Sequence, residues 1–445
     1  MKNILVVGSG RVSGPLVQYL LQHRFKVKVA DKDPSATQKV IKDHPNGTAV
    51  PLDISNKERL SQLVGEADVV VSLLPYELHP EVATVCVDQK THLVTSSYVK
   101  PRMEALDSQA KASGVILLNE LGLDPGIDHM TAMQVIHHAQ SNGRQVVSFS
   151  SFCGGLPAPE VNDNPFGYKF SWRPLGVFDA MVGPPAQFLQ SGEKITIPNA
   201  DLFAQPSQHF IDGVGALEGY PNRNSLQYIP IYSLNGIQNM LRGTLRNVGW
   251  CNFWHHVCKT NILDNNLLTT MPGNVAEFTA QLIGASTTDN LDAAFAHFLG
   301  LAVNNQIIDM ARWLGLFSPD SIPEISKGDL RSARSILAGL AERKMAYTPG
   351  ERDMSVMQHK FEIAYPSGKM ERITSTLLVY GIPNGDTSMA QTVGLSAAIG
   401  ARFIAEGVIT TPGVQIPVTP EIYRPVLAEL ENFGIRMTEE IETVS

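Results

Sequence analysis

The chain has 445 residues, 43% of them hydrophobic and 18% charged, and its 35 lysines and arginines against 43 acids leave a formal net charge of −8. That length exceeds what one hydrophobic core supports and predicts two or three domains, while the composition excludes a disordered chain. The acidic balance, with no long basic run, argues against nucleic acid or an anionic membrane as a partner.

Short apolar runs alternate with amphipathic stretches over the first 120 residues: 4–7, 26–30, 48–52, 68–74, 92–96 and 115–119. This alternation predicts a doubly wound parallel sheet of the Rossmann type, with helices between the runs as at 14–22, 56–64 and 101–112. A helix at 126–140 and a strand at 144–152 follow. The stretch SFCGGLPAPEVNDNPFGYKFSW (151–172) reads as neither helix nor strand but as a rigid loop, with Gly/Pro-rich loops continuing to about 250. The pattern is helical from about 251 to 349, a hairpin is expected over 360–381, and the Ala-rich 389–407 is expected as a buried helix rejoining the first sheet. The cysteines Cys86, Cys153, Cys251 and Cys258 lack the density and spacing of a disulfide or zinc framework. A reducing compartment follows, with cytoplasm the simple expectation. No charged leader precedes the strand at Ile4 and no run of 18 apolar residues occurs, so neither a signal peptide nor a membrane span is expected.

ILVVGSGRVSG (4–14) places a glycine turn between the first strand and first helix. Gly8 allows the tight turn, and Gly10 lets backbone N–H groups approach a pyrophosphate at the positive end of a helix. The third site of GxGxxG is Ser13, with Gly14 one residue late, so position in the βαβ series carries more weight than the glycines themselves. Asp31 ends the second strand, where a carboxylate accepts from the ribose hydroxyls of NAD and repels the 2′-phosphate of NADP; the alternative is a solvated loop acid. Lys32 beside it is a cation able to offset that repulsion. NAD is favoured, with NADP open. Asp53 after the third strand is placed toward the adenine, and Leu73 and Leu74 after the fourth are placed to pack along the cofactor. Walker A and HExxH motifs are absent, and WHHVCK (254–259) fits no zinc spacing, so no metal is expected.

Four further segments fall at expected strand ends or in rigid loops: TSSYVKP (95–101), NELGLDPGIDH (119–129), the 151–172 stretch, and YPNRNS (220–225) with LRGTLR (241–246). Together they strongly resemble the glutamate-forming saccharopine dehydrogenases. The resemblance runs from Ile4 beyond GERD (350–353) and HKFE (359–362). It implies a nicotinamide-dependent cleavage of saccharopine to glutamate and 2-aminoadipate 6-semialdehyde in lysine metabolism, by a homodimer. It also implies three domains: a Rossmann domain (1–125, rejoined by 385–445), a mixed α/β substrate-binding and dimerisation domain (126–250 with 350–384) and a helical domain (251–349). The fungal NADP-using type carries an arginine where this chain has Lys32 and no acid at the Asp31 position, a departure that supports NAD.

Saccharopine carries three carboxylates, so its site needs fixed cations. Arg223 and Arg246, expected in tight Pro/Gly-containing loops, are suited to bidentate pairing. By resemblance Arg223 and the Thr244, Leu245, Arg246 run contact saccharopine, with Ser97, Tyr98 and Asp124 at the cofactor–substrate junction. The cofactor set extends by the same resemblance to Ser9, Arg11, Val12, Ile54, Ser96, Leu123 and Pro125, and to Trp172 and Arg173 on the nicotinamide side. Asp124 and Tyr98 are candidate acid/base groups, Asp124 having a turn-capping role as its alternative. Cys153 lies near the reacting amine by the family match, and packing or polarising contact is favoured over a thiolate nucleophile. Phe166, Tyr168 and Phe170 are expected to pack. A related carboxylated-polyamine dehydrogenase and a non-catalytic NAD-binding protein stay open as alternatives.

Overall fold

The computed structural model describes residues 1–324 and 331–444. Its strands in chain order are β1 Asn3–Val7, β2 Lys26–Asp31, β3 Gly47–Pro51, β4 Val69–Ser72, β5 His92–Thr95, β6 Ile116–Leu118, β7 Gln145–Pro157, β8 Ala186–Gln190, β9 Glu193–Ile197, β10 Ser207–Ile211, β11 Gly215–Pro221, β12 Asn239–Asn247, β13 Asp353–Ala364, β14 Met370–Tyr380, β15 Gly413–Gln415 and β16 Thr438–Val444. The chain forms two compact units. One comprises Met1–Val147, Pro230–Leu234 and Met357–Ser445, the other Ser148–Ile229 and Asn235–Val356. The segment 251–349, expected as a domain of its own, falls in the second unit, and its residues 325–330 lie outside the described residues, as does Ser445.

The first unit holds a seven-stranded sheet in the order β15-β6-β5-β4-β1-β2-β3, parallel throughout. Strands covered on both faces read as continuous apolar runs, and Ile4–Val7 and Val69–Val71 are fully buried for that reason. Leu60, Leu63 and Val64 from the helix Lys57–Gly65 join Val82, Ala83 and Cys86 from the helix His79–Gln89 in a core with Leu5, Val7, Val70 and Leu93. The chain reverses order about β1, with β4 on one side and β2 on the other, and ligands bind outside the strand ends at such a switch point. The Ala-rich segment forms the helix Ser388–Ala405, which packs on the helix Ser13–Gln22, and β15 then pairs with β6. Strands β13, β14 and β16 are neighbours, with the β13–β14 turn closed by Tyr365 N donating to Lys369 O at 2.9 Å.

The second unit corrects two expectations. Residues 151–157, read as loop, continue strand β7. Gly154 is there because β12 runs close alongside: a Cβ at this position would sit 2.6 Å from Leu245 O. The expected loops to about 250 are instead strands β8 to β12, ordered β10-β11-β12-β7 with β8 pairing β12 and β9. Gly192 (φ +79°) and Gly213 (φ +77°) belong to tight turns between antiparallel neighbours, which made a series of short strands read as one long loop. Beyond β12 the unit is largely helical, with Trp250–Val257, Val275–Ile283, Leu291–Leu299, Gln306–Leu314 and Ala333–Lys344. Among the described residues no helix is long and apolar enough to cross a membrane.

Candidate active site

In the first unit β1 ends in Gly8, whose φ of +102° and position 3.2 Å, measured from a virtual Cβ, from Leu73 O suit glycine alone. The helix Ser13–Gln22 begins at Val12 with no side chain capping it and no acid in its first turn. Its first N–H groups thus form the positive end that a pyrophosphate needs. Ser9 donates from its amide and its hydroxyl to Asp31 Oδ2, at 2.7 and 2.9 Å, and Asp33 N donates to Oδ1 at 3.0 Å. Burial pushes the Asp31 carboxyl up, but these bonds together outweigh it and hold the group below the usual carboxylate range. An ionised acid therefore ends β2, with lone pairs left for ribose hydroxyls. Asp53 is exposed and accepts from Ser55 N at 2.9 Å and Ser55 Oγ at 2.7 Å; those bonds, aided by the Lys32 charge, lower its pKa. Arg11 is exposed and Val12 half-buried on the glycine loop, while Ile54 and Leu74 pack against the core. These residues fit a dinucleotide.

The same unit brings Ser96, Ser97, Tyr98, Leu123, Asp124 and Pro125 together. Leu121 N donates to Thr95 O at 3.1 Å, which lays the 119–126 segment against the end of β5, and a Cβ on Gly122 would stand 3.1 Å from Ser96 Cβ. The Tyr98 hydroxyl donates to Asp124 Oδ1 at 2.6 Å. Beneath Ser97 lies His79, 3% exposed, with Nδ1 at 2.9 Å from Ser72 Oγ and Nε2 at 2.9 Å from Ser97 Oγ and 3.0 Å from Thr95 Oγ1. Burial lowers its pKa to about 4, so the ring is neutral at pH 7. A phenol hydrogen-bonded to a carboxylate is a ready proton carrier, and the ring below holds the neighbouring hydroxyl in place.

The second unit gathers a different set. Arg246, expected in a loop, lies in strand β12 opposite Glu218 of β11, because Gly243 makes room for the Phe152 ring and lets the strand run on through LRGTLRN. Thr244 stands opposite Cys153 of β7, and the Leu245 carbonyl accepts from an Arg246 terminal nitrogen at 2.8 Å. Cys153 is buried in that strand pair. The Arg246 guanidinium, 6% exposed as a residue, lies over Tyr168 at 4.9 Å and Trp250 at 5.2 Å. Among the described residues no carboxylate comes within ion-pairing distance of it, and its buried Nε has no hydrogen-bond partner. The Trp250 indole N–H is likewise buried without an acceptor. Burial raises the pKa of Tyr168, against the pull of the Arg246 charge, so its hydroxyl stays protonated.

Arg223 does sit in a tight turn, after β11, in the left-handed region at φ +55°; its carbonyl accepts from Gln187 N at 2.8 Å. Trp172 and Arg173 precede the helix Pro174–Met181, the Trp172 ring covering Gly176. Phe166, Tyr168 and Phe170 are buried in a cluster with Trp250, Phe253 and Trp254. The sequence reading missed Trp250 and His79. Trp250 had a usable signal, standing four residues beyond the arginine, but His79 had none, being defined by partners on two other segments, Ser72 at the end of β4 and Thr95 and Ser97 at the end of β5. Among the described residues no cluster of three or more His, Cys, Asp or Glu is placed to hold a metal ion.

A parallel sheet with a glycine turn at its switch point and an ionised acid closing β2 defines a Rossmann-type dinucleotide-binding protein. Comparison with known proteins narrows this. Residues 4–118 match the model of the saccharopine dehydrogenase NADP binding domain and 122–435 that of the saccharopine dehydrogenase C-terminal domain. The chain belongs to the saccharopine dehydrogenase family. It is 36% identical over 452 residues to the saccharopine dehydrogenase [NADP(+), L-glutamate-forming] of Schizosaccharomyces pombe, covering 99% of each chain. The corresponding protein of Saccharomyces cerevisiae is 37% identical over 448 residues, 98% of this chain and 99% of that one. The mitochondrial alpha-aminoadipic semialdehyde synthase of Rattus norvegicus is 36% identical over 447 residues, 98% of this chain but 47% of the rat protein, so the chain spans about half the length of that relative. The solved apo saccharopine dehydrogenase (L-Glu forming) of Saccharomyces cerevisiae superposes with a TM-score of 0.88 at 36% identity, each chain fully covered.

Proposed function

We propose that the chain is a glutamate-forming saccharopine dehydrogenase: saccharopine, water and an oxidised nicotinamide dinucleotide give L-glutamate, 2-aminoadipate 6-semialdehyde, the reduced dinucleotide and a proton. The observation that carries this reading is the buried Arg246, a cation that among the described residues has no carboxylate within ion-pairing distance and whose Nε has no hydrogen-bond partner. A buried charge of this kind is costly without an anionic partner, and a substrate with three carboxylates supplies one. The aromatic faces of Tyr168 and Trp250 hold the guanidinium plane, which favours a bidentate carboxylate.

When bound, the dinucleotide accepts the hydride. The chain's own residues handle the rest. The secondary amine of saccharopine must be neutral before its lone pair assists hydride departure from the adjacent carbon, and the Tyr98–Asp124 pair takes up its proton. The resulting imine adds water and collapses to amine and aldehyde, with the same pair returning the proton. Ser97 is held in place by His79, and no step of this sequence requires a covalent bond to the Cys153 thiol.

Kinship favours NADP, since the matched N-terminal model and the fungal relatives carry NADP in their names. Asp31 supports a second reading, NAD, because an ionised carboxylate at the end of β2 accepts from ribose hydroxyls and repels a 2′-phosphate. A homodimer acting in the cytoplasm, within lysine metabolism, completes the proposal. Absorbance at the nicotinamide band with saccharopine and each dinucleotide, with glutamate assayed as product, tests it. Reduction with glutamate release supports the reaction, and the preferred dinucleotide settles the role of Asp31. Dinucleotide binding with no turnover of saccharopine overturns the proposal.

A further inference from the structure

Glu120 is a buried acid whose backbone lies at φ +57°, the left-handed region that side chains of its kind seldom occupy. Its contacts show what holds it there. Its amide donates to Ser97 O at 3.1 Å, and its Oε1 accepts from Val99 N at 2.9 Å. Glu120 thereby grips the backbone on both sides of Tyr98. Its other oxygen, Oε2, meets His129 Nε2 at 2.8 Å, and His129 Nδ1 meets the Tyr232 hydroxyl at 2.5 Å. The His129 ring is fully buried in the first turn of the helix Ile127–Ser141. Asp128, next to it, accepts from Gly126 N at 2.6 Å and so closes the turn that carries Asp124.

Glycine or asparagine would take up this backbone conformation with less strain, but neither side chain is long enough to span from Val99 N to the His129 ring. One carboxylate thus answers both the half-buried Val99 amide and the buried His129 ring. We infer that Glu120 is a positioning residue: braced by His129 and Tyr232, it fixes the peptide around Tyr98 so that the phenol meets Asp124. This rests on the reading of Tyr98 and Asp124 as the proton-handling pair. A displacement of about 1 Å in such a pair lowers turnover by up to about 100-fold.

The test compares wild type with Glu120→Ala, Glu120→Gln, Tyr232→Phe and Tyr98→Phe in the full-length protein. Hydrogen–deuterium exchange over 96–100 is read without substrate, followed by kcat and KM for saccharopine, dinucleotide affinity and thermal midpoint. Glu120→Ala is expected to speed exchange in that segment about tenfold or more and to lower kcat at least about tenfold, with dinucleotide affinity and the saccharopine KM within about threefold. Glu120→Gln, whose amide oxygen still accepts from Val99 N, restores most of kcat, and Tyr232→Phe, which folds without a cavity, shows a smaller change of the same sign. Unaltered exchange over 96–100 in Glu120→Ala overturns the inference. So does a fall in kcat that merely tracks loss of folded protein, or a Glu120→Gln variant no better than alanine. Full activity in Tyr98→Phe removes the proton-handling reading instead, while the exchange data still decide whether Glu120 holds the segment.

Discussion

Two groups of buried polar residues in this chain are built on opposite terms. Around β4, β5 and the 119–129 segment, each polar side chain described above answers another: Ser72, Thr95 and Ser97 surround His79, Glu120 joins Val99 to His129, and Tyr98 meets Asp124. Around β12 the buried donors Arg246 Nε and Trp250 Nε1 lack partners among the described residues. Complete satisfaction makes a rigid support whose energy is internal to the fold. Incomplete satisfaction marks a surface whose balance is restored by a ligand. On the function proposed above, the first group is machinery and the second is recognition.

The largest way to break this comparison is at Tyr98. Tyr98→Phe is expected to lower kcat about 1,000-fold with a small change in KM, since it removes the only hydrogen that the phenol gives Asp124. A proportional change in KM, seen in initial rates, would move Tyr98 to the recognition side.

His79 sharpens it next. Its pKa falls from an unfolded 6.5 to about 4 in the fold, so the unfolded chain binds the extra proton between those values. Its contribution to stability is therefore fully present above pH 6.5 and is lost as pH drops through 4, an effect of about 3 kcal/mol. Urea midpoints compared at pH 7 and pH 4.5 should drop less in His79→Asn than in wild type. An equal drop assigns the acid sensitivity to other groups.

Arg246→Gln is expected to reduce kcat/KM for saccharopine about 100-fold. Because it removes a buried cation that, among the described residues, has no carboxylate within ion-pairing distance, the same change is expected to leave the thermal midpoint unaltered or to raise it. A variant that loses stability and affinity together would show Arg246 to be part of the support instead. The smallest effect is at Cys153: Cys153→Ala should keep kcat within about threefold, and a loss of 100-fold or more would reinstate the thiol in the chemistry.

The parallel sheet was legible because β1, β4 and β6 carry apolar runs, the form that burial on both faces demands, and the shorter apolar segments of β2, β3 and β5 recur between helical stretches. The strands of the second unit were hidden by the same residues that permit them. Gly192 and Gly213 make hairpin turns, and Gly154 and Gly243 let strands approach a carbonyl and an aromatic ring, yet all four read locally as loop. For that reason Arg246 was found as a residue but set in the wrong kind of element. The glycine loop, Asp31 and the Tyr98–Asp124 segments were visible as motifs. The Glu120–His129–Tyr232 chain was not, because its last link joins residues 103 positions apart and no spacing rule reaches that far.

The two bonds from Ser9 to Asp31 carry a consequence for how this protein could be redesigned or could have diverged. Asp31, proposed above to meet the ribose, also fastens the glycine loop through Ser9, so on that reading the dinucleotide preference and the order of the loop are a single trait. Replacing Asp31 by a residue with no side-chain acceptor, to admit a 2′-phosphate, takes away the partner of the Ser9 amide as well as removing a charge, whereas asparagine keeps an acceptor for it. On that reading, a change of cofactor that removes the acceptor at position 31 is expected to loosen the glycine loop unless the loop around position 9 changes with it.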